Sequence, residues 1–175
     1  MSLLHARSLI REISDYPIPG IRFQDLTPLL ADAEGFNQVV TALKPFAEDS
    51  NIIAGIEARG FIFASALAHS LGLGFVPIRK AGKLPHQTIE ESYGLEYGSD
   101  VLQIHQDAIT SGDRVLLVDD VLATGGTVVA ASKLIARLGG SLVAGAVVME
   151  IAALEGRSRI LRDFPDLPVH SLFQV

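Results

Sequence analysis

Two adjacent carboxylates, followed closely by two glycines and two threonines, have the clearest chemical potential in this chain. They lie in the segment Arg114–Thr127 (RVLLVDDVLATGGT), as Asp119-Asp120 and Thr124–Thr127. Adjacent glycines let the backbone approach an anion closely, and the unpaired N–H groups of a following helix favour negative charge. Carboxylates accept hydrogen bonds from a sugar diol or hold a hydrated cation. The segment therefore suggests a sugar-phosphate site, with hydroxyls at the acids and phosphate at the glycines.

These residues need a strand before them and a helix after them. Val115–Val118 is a short, wholly apolar run, which is typical of a strand buried on both faces in a parallel sheet. The acids then lie at the carboxyl edge of the sheet, where open α/β sheets bind ligands. An ordinary strand-to-helix turn with acidic capping residues is the alternative interpretation. The chain contains neither G-x-x-x-x-G-K-[ST] nor G-x-G-x-x-G, so the two common nucleotide motifs do not explain the pattern.

A second polar turn, Glu57–Gly60 (EARG), follows the predicted strand 51–56. Its arginine could hold a phosphate through two parallel hydrogen bonds, although a surface arginine in a turn is an equal alternative. After the predicted strand 74–78, a segment without steady periodicity extends to Asp100, and Val101–Ile104 is expected to complete a hairpin with the return of this segment. Long loops of this kind are often active-site lids. The segment begins with three cations, Arg79, Lys80 and Lys83. They could belong to such a lid, or they could form an ordinary solvated charged surface.

Strands and helices alternate along the whole chain. This order predicts an α/β fold with a doubly wound parallel sheet of about five strands. We expect one domain over residues 1–175, with residues 1–34 as an N-terminal cap and residues 79–105 as a flexible loop. Within the cap, residues 21–28 are either a connector with one core aromatic or a lip that binds a base. Helices are expected over 3–13, 35–44, 61–71 and 128–138, further strands over 142–149 and 168–173, and a polar helix or irregular linker over 151–162.

The composition excludes several classes of function. The chain has 175 residues, 49% of them apolar, and a net charge of −6, so we expect a globular protein that does not present a general nucleic-acid surface. It contains no Cys, and its five His show no zinc-binding spacing, which excludes disulfides and thiolate sites. No signal peptide and no apolar run of membrane-spanning length are visible. The sequence predicts a cytoplasmic protein without a nucleic-acid or membrane partner.

The segment VLLVDDVLATGGT resembles the 5-phosphoribosyl-1-pyrophosphate (PRPP) motif of the type I phosphoribosyltransferases, and its ATGGT ending resembles the adenine branch of that family. PGIRFQDL, over residues 19–26, and RKAGKLP with ESYGLEYG, over residues 79–98, resemble the same branch. The resemblance implies conversion of adenine and PRPP to AMP and pyrophosphate, for purine salvage, by a homodimer. It also implies Mg²⁺, bound through PRPP and water rather than directly by side chains. A 6-oxopurine phosphoribosyltransferase and a non-catalytic PRPP-sensing regulator of the same fold remain alternatives.

Matching positions imply the site residues. Glu96 matches the catalytic acid and Tyr97 the aromatic that helps close the site, and Asp120 is also assigned to catalysis. Phe23 matches the residue that stacks on adenine, whereas Gln24 stands where many members carry Arg. The remaining assignments are Arg22 for adenine, and Asp119, Asp120, Ala123, Thr124, Gly125, Gly126 and Thr127 for PRPP and AMP.

The resemblance assigns the pyrophosphate group to the second polar turn and to the basic run. In the family a non-proline cis peptide bond commonly occurs in that turn, so we expect one between Glu57 and Ala58. One of the arginines matches a residue that is supplied across the dimer interface to the partner's site. The implied pyrophosphate-binding residues are Glu57, Ala58, Arg59, Gly60, Lys83 and the interface residue Arg79.

Overall fold

The computed structural model describes residues 3–94 and 99–175. The chain divides into two compact units, Met1–Ala42 and Leu43–Val175. The first unit contains short helices and a two-stranded antiparallel sheet. Its elements are α1 (Leu4–Ser8), β1 (Arg11–Ser14), β2 (Arg22–Asp25), α2 (Thr27–Ala31) and nearly all of α3 (Ala33–Leu43).

The helix predicted over residues 3–13 is wrong beyond Ser8, because residues 11–14 form β1. This strand pairs with β2, and Ile13 lies opposite Phe23. Arg11 reinforces the pairing, since its guanidinium donates hydrogen bonds of 2.6 and 3.1 Å to Asp25 Oδ2. The spacing of apolar residues fits a helix, but the pairing partner lies beyond the intervening turn and outweighs that local signal.

The second unit is organised around one sheet. Its strands are β3 (Ile52–Ile56), β4 (Gly74–Lys80), β5 (Thr88–Gly94), β6 (Ser99–His105), β7 (Arg114–Leu122), β8 (Ser141–Glu150) and β9 (Val169–Gln174). Its helices are α4 (Gly60–Leu71), α5 (Gly126–Arg137) and α6 (Gly156–Asp163), and short 3-10 turns cover Lys44–Ala47 and Ala152–Leu154.

The sheet has seven strands in the order β5-β6-β4-β3-β7-β8-β9. The five strands from β4 to β9 in this order are parallel, as predicted. The other two, β5 and β6, form an antiparallel hairpin that pairs with the end of β4. Much of the segment expected to be a loop over residues 79–105 is therefore strand.

The helices α4 and α5 cover opposite faces of the sheet. Gly55 of β3 lies against α4, since a Cβ built on it would be 2.7 Å from Ala64 Cβ. Its neighbour Ala54 belongs to the buried cluster that includes Leu117 of β7 and Leu134 of α5. Coverage on both sides explains why the central strands read as continuous apolar runs. The doubly wound α/β fold is thus confirmed. Within the described ranges, no helix has both the length and the apolar character needed to cross a membrane.

Candidate active site

The two polar turns predicted from the sequence meet at the carboxyl edge of the parallel sheet. They follow β3 and β7, which are adjacent parallel strands. A Cβ built on Gly60 would lie 2.7 Å from Asp119 Oδ1, so glycine allows the close approach of the two turns. Arg59 Nε lies 2.5 Å from Asp120 Oδ2 and links the turns by an ion pair. The predicted pyrophosphate turn and the predicted PRPP motif therefore form one site.

The two acids lie inside β7 rather than beyond its end. Asp119 and Asp120 are each only 7% exposed. Burial raises the pKa of the Asp119 carboxyl, and the adjacent charge of Asp120 raises this pKa further. Asp119 is therefore biased toward its protonated form, which both donates and accepts hydrogen bonds. Asp120 instead has the guanidinium of Arg59 as its counter-ion.

The predicted phosphate loop is a tight turn between β7 and α5, formed by Ala123, Thr124 and Gly125. Gly125 has a φ of +78°, a conformation that favours glycine, and it immediately precedes the helix. The first N–H groups of α5 have no partner within the helix. Thr127 lies in this first turn, and its hydroxyl is 3.5 Å from Asp119 Oδ2. Backbone donors and the Thr127 hydroxyl thus lie beside the acids, as an anion site requires.

A second cluster surrounds Glu57, the residue that follows β3. It lies beside the end of the neighbouring strand β4. Glu57 Oε2 accepts hydrogen bonds from Arg79 Nε at 3.1 Å and from the Lys80 N–H at 3.0 Å. Lys83 Nζ forms an ion pair with Glu57 Oε1. Burial alone would raise the pKa of Glu57, but the hydrogen bonds from Lys83, Lys80 and Arg79 outweigh burial and hold the pKa below its ordinary value.

Glu57 consequently differs from the other predicted pyrophosphate residues. A carboxylate repels an anion, whereas Arg79 and Lys83 attract one. The structure shows Glu57 holding these two cations at the sheet edge. The peptide bond between Glu57 and Ala58 is cis, as expected.

The helix α6 supports the phosphate loop, a role that the sequence analysis missed. A Cβ built on Gly156 would lie 2.2 Å from the carbonyl oxygen of Ala123 and 2.9 Å from the backbone nitrogen of Gly125. In the other direction, a Cβ on Gly125 would lie 2.5 Å from the carbonyl oxygen of Gly156. Each glycine therefore makes room for the backbone of the other. The first turn of α6 and the phosphate loop fit together only because both positions lack a side chain.

An ion pair between the partly exposed Arg157 and the buried Glu150 holds α6 in place. Arg157 donates a hydrogen bond of 3.0 Å to Glu150 Oε1, at the end of β8, and a further one to the carbonyl oxygen of Val169 in β9. Glu150 also accepts hydrogen bonds from Ser171 at 2.9 Å and Gln174 at 3.1 Å. Arg157 lowers the pKa of Glu150 to about 2, with smaller contributions from the two β9 side chains. The network joins α6 to the carboxyl end of β8 and to β9 along its length.

The sequence gives only a weak indication that α6 packs against the phosphate loop. Residues 151–162 were expected to be a polar helix or an irregular linker around Gly156, and the structure shows a helix that begins at that glycine. A glycine at the start of a polar helix, followed at once by arginine, is compatible with close backbone packing. Nothing in the sequence names Ala123 and Gly125 as the neighbours.

The residues predicted to bind adenine lie on β2 of the first unit. Phe23 makes an edge-to-face contact with Tyr16, with ring centroids 5.2 Å apart. Gln24 is buried, and its amide donates a hydrogen bond of 3.3 Å to Glu12. Arg22 Nε is 3.9 Å from Glu12. Their role toward adenine stays a prediction. The predicted catalytic residues Glu96 and Tyr97 lie outside the described residues.

The acids at the carboxyl edge suit a cation that is held mainly by its ligand. Among residues 3–94 and 99–175, no group of three His, Cys, Asp or Glu residues is placed to hold a metal ion. Asp119 and Asp120 supply hard oxygen atoms of the kind that Mg²⁺ prefers, through water or directly. The donor set therefore fits a hydrated ion that arrives with a phosphorylated substrate.

Comparisons with known proteins assign the family. Residues 34–168 match the model of the phosphoribosyl transferase domain. The chain is 53% identical over 159 residues to the adenine phosphoribosyltransferase of Parvibaculum lavamentivorans, covering 90% of this chain and 91% of that protein.

Two solved structures extend the comparison. The adenine phosphoribosyltransferase of Rhodothermus marinus is 48% identical with a TM-score of 0.91, and the match covers 99% of this chain and 98% of that one. The Saccharomyces cerevisiae enzyme, solved with adenine and D-2,5-dideoxy-2,5-imino-altritol 1,6-bisphosphate, is 37% identical with a TM-score of 0.91, and the match covers 97% of each chain.

Proposed function

This chain belongs to the adenine phosphoribosyltransferase family, and from that premise we propose that it converts adenine and PRPP to AMP and pyrophosphate. The observation that carries the proposal is the identity of 53% to an adenine phosphoribosyltransferase over 90% of the chain. The site supports it, because a phosphate loop, buried acids and a cluster of cations lie along one edge of the sheet. We further propose that the reaction serves purine salvage.

Each part of the site has a task in this reaction. The loop Ala123–Thr127 holds the 5′-phosphate, so the binding energy of this group positions the reacting carbon. Asp119 and Asp120 accept hydrogen bonds from the ribose hydroxyls, and the negative charge of Asp120 favours the positive charge that develops on the ribose. Arg59, with the cations at Glu57, stabilises the charge that builds up on the departing pyrophosphate.

The base and the cation complete the proposal. Arg22, Phe23 and Gln24 bind adenine, with the Phe23 ring stacked on the base. Glu96 handles the proton on the imidazole ring of adenine, and Tyr97 helps to exclude water. Mg²⁺ enters with PRPP and neutralises charge on the pyrophosphate group. Asp119 and Asp120 are the residues that would contact its water shell.

A comparison of substrates tests the proposal. Product formation is measured with PRPP and Mg²⁺ and with adenine, guanine, hypoxanthine or xanthine offered separately, and then without Mg²⁺. We expect AMP from adenine alone and loss of turnover when Mg²⁺ is chelated. Turnover of a 6-oxopurine would keep the mechanism but overturn the assignment of residues 22–24. Tight PRPP binding without turnover of any base would favour a PRPP-sensing regulator.

We also propose that the protein is a cytoplasmic homodimer in which Arg79 serves the partner's site. The highly charged PRPP does not cross a bilayer unaided, so the enzyme must share the compartment in which PRPP is made. In the single chain Arg79 is bound to Glu57 and to the carbonyl oxygen of Lys83 at 3.1 Å. Serving the partner's site would require it to exchange these contacts for pyrophosphate.

Mixed dimers test the sharing of Arg79. Arg79→Ala and Arg59→Ala chains are each expected to be nearly inactive, and mixing them should recover part of the activity because some dimers then contain one intact site. Subunit exchange is confirmed with a tagged chain. Absence of recovery despite exchange would show that each chain uses its own Arg79.

A further inference from the structure

One basic side chain beside the phosphate loop has no part in the function proposed so far. Arg159 lies on α6 and reaches toward the start of α5. A Cβ built on Gly126 would be 3.2 Å from Arg159 Nη1 and 3.6 Å from Arg159 Cζ. The guanidinium therefore rests against the first residue of α5, next to the unpaired N–H groups of that helix.

The charge of Arg159 is not neutralised within the described part of the chain. Its side chain is half-buried, and its guanidinium forms no ion pair or hydrogen bond with residues 3–94 or 99–175. By contrast, the neighbouring Lys133 lies 3.3 Å from Asp163 and 3.8 Å from Glu91. A cation that has lost part of its hydration gains from a bound anion, and a guanidinium can offer it two parallel hydrogen bonds.

There is space for such an anion. A cavity of about 330 Å³ adjoins Arg159, and its lining includes Gly126, Arg162 and Lys133, together with Glu91 and Asp163, the two acids that pair with Lys133. Gly126 lines this cavity and also opens the helix that follows the phosphate loop. The absence of a side chain at Gly126 leaves the start of α5 open to the guanidinium. Because Arg159 Nη1 lies 3.2 Å from the Cβ position of Gly126, a phosphate held by the N–H groups at the start of α5 would lie near this guanidinium.

We propose that Arg159 binds the 5′-phosphate of PRPP and AMP, adding side-chain charge to the backbone donors of the loop. This inference rests on the proposed function but makes a separate claim about one residue. Its position is determined by the packing of Gly156 against the loop and by the ion pair of Arg157 with Glu150. The same helix turn that supports the loop therefore also delivers a cation to it.

Removal of the phosphate from the ligand isolates the role of Arg159. Calorimetry gives the dissociation constants of AMP and of adenosine for the wild type, Arg159→Gln and Arg162→Gln. Arg162 is the matched control, since it is an exposed arginine that lines the same cavity from the same helix. At low salt we expect Arg159→Gln to weaken AMP binding by about tenfold, because hydrogen bonds to charged groups are worth roughly that factor. Adenosine binding should be unchanged.

Kinetics provide a second measurement. Arg159→Gln should raise KM for PRPP and leave KM for adenine unchanged, and Arg159→Lys should recover part of the loss because it restores the charge without the paired donors. Melting temperatures establish that the variants are folded. Equal AMP affinity in Arg159→Gln and wild type would overturn the inference, as would equal losses for AMP and adenosine. A wild-type protein that binds neither AMP nor PRPP would instead overturn the proposed function.

Discussion

The two ends of the site are built by different physical means. The phosphate loop is shaped by close backbone packing, in which Gly125 and Gly156 meet at distances that exclude any side chain. The predicted pyrophosphate end is built from charges, because Arg79 and Lys83 both pair with Glu57. The Glu57 side chain is only 6% exposed, but the Arg79 and Lys83 side chains are 33% and 47% exposed.

This difference fits what each end must do. The 5′-phosphate is present in both substrate and product, so its site gains from a rigid shape. Pyrophosphate is attached at the start and leaves at the end, so its site gains from side chains that exchange one partner for another. Salt bridges at a partly exposed surface are weak and exchangeable. We therefore propose that the loop positions the substrate and that the cations respond to the change in charge.

The largest expected effect comes from filling the backbone contact. Gly125→Ala places a Cβ 2.5 Å from the carbonyl oxygen of Gly156 and keeps a φ of +78° that costs other residues about 1–2 kcal/mol. The loop must shift, and we expect AMP affinity to fall by about a hundredfold, as misplacement by about 1 Å commonly does. Titration calorimetry measures the loss.

Gly72→Ala is the control for this prediction. Gly72 has a similar φ of +68°, but a Cβ there would meet nothing within 4 Å. It reproduces the backbone strain without the contact, so AMP affinity should stay at the wild-type value. If Gly125→Ala also bound AMP like the wild type, shape would not be what defines the phosphate end.

A smaller effect is expected at the other end. Lys83→Met removes one of the two cations on Glu57, and we expect KM for pyrophosphate in the reverse reaction to rise by about tenfold, the value of one charge-assisted hydrogen bond. AMP affinity should not change. Lys80→Met is the control, because the Lys80 side chain pairs with Asp100 at 2.8 Å instead. Added salt should weaken pyrophosphate binding, because it screens the charges of that end. It should change the loss of AMP affinity caused by Gly125→Ala much less, because that loss comes from a steric contact. A Lys83→Met variant that lost AMP affinity equally would contradict the division between the two ends.

The smallest expected effect is a loss of folding stability at low pH. The pKa of Glu150 is about 2 in the folded chain, against an ordinary value of 4.5. A depressed pKa contributes stability above pH 4.5, and this contribution is lost as the pH falls toward 2. We expect a loss on the order of 1 kcal/mol from this group, because Arg157 is partly exposed to solvent.

Urea unfolding across this pH range measures the acid effect, with Glu150→Gln for comparison. The variant is expected to be less stable at neutral pH and to show a flatter pH dependence between pH 4.5 and 2. Parallel curves for the two proteins would mean that the Glu150–Arg157 pair does not hold α6 in the manner described.

Several parts of this architecture could be predicted from local sequence. The run Val115–Val118 with Asp119 and Asp120 indicated a buried strand that carries acids at its carboxyl end. The turn Glu57–Gly60 indicated a second such strand. Because parallel strands present their carboxyl ends at one edge, the two motifs could be expected to meet, and the Arg59–Asp120 ion pair confirms it.

Other parts could not be predicted, because they depend on partners distant in the sequence. Residues 11–14 have helical spacing, yet they pair with β2. Of the hairpin of β5 and β6, only Val101–Ile104 was expected as a strand, because residues 88–94 carry too few apolar side chains to indicate one by themselves. Glu57 holds Arg79 and Lys83, which lie far along the chain, and its role toward pyrophosphate stays a prediction.

The sequence by itself determined which polar groups the candidate site contains, because the phosphate loop, the paired acids and the clustered cations each lie in one short segment of the chain. Only the tertiary structure decided how the phosphate loop is supported. The fit of Gly156 against Gly125, and the approach of Arg159 to Gly126, arise from the docking of α6 beside α5. A short segment is enough to show which groups are present. Their positions depend on close packing between segments that are distant along the chain.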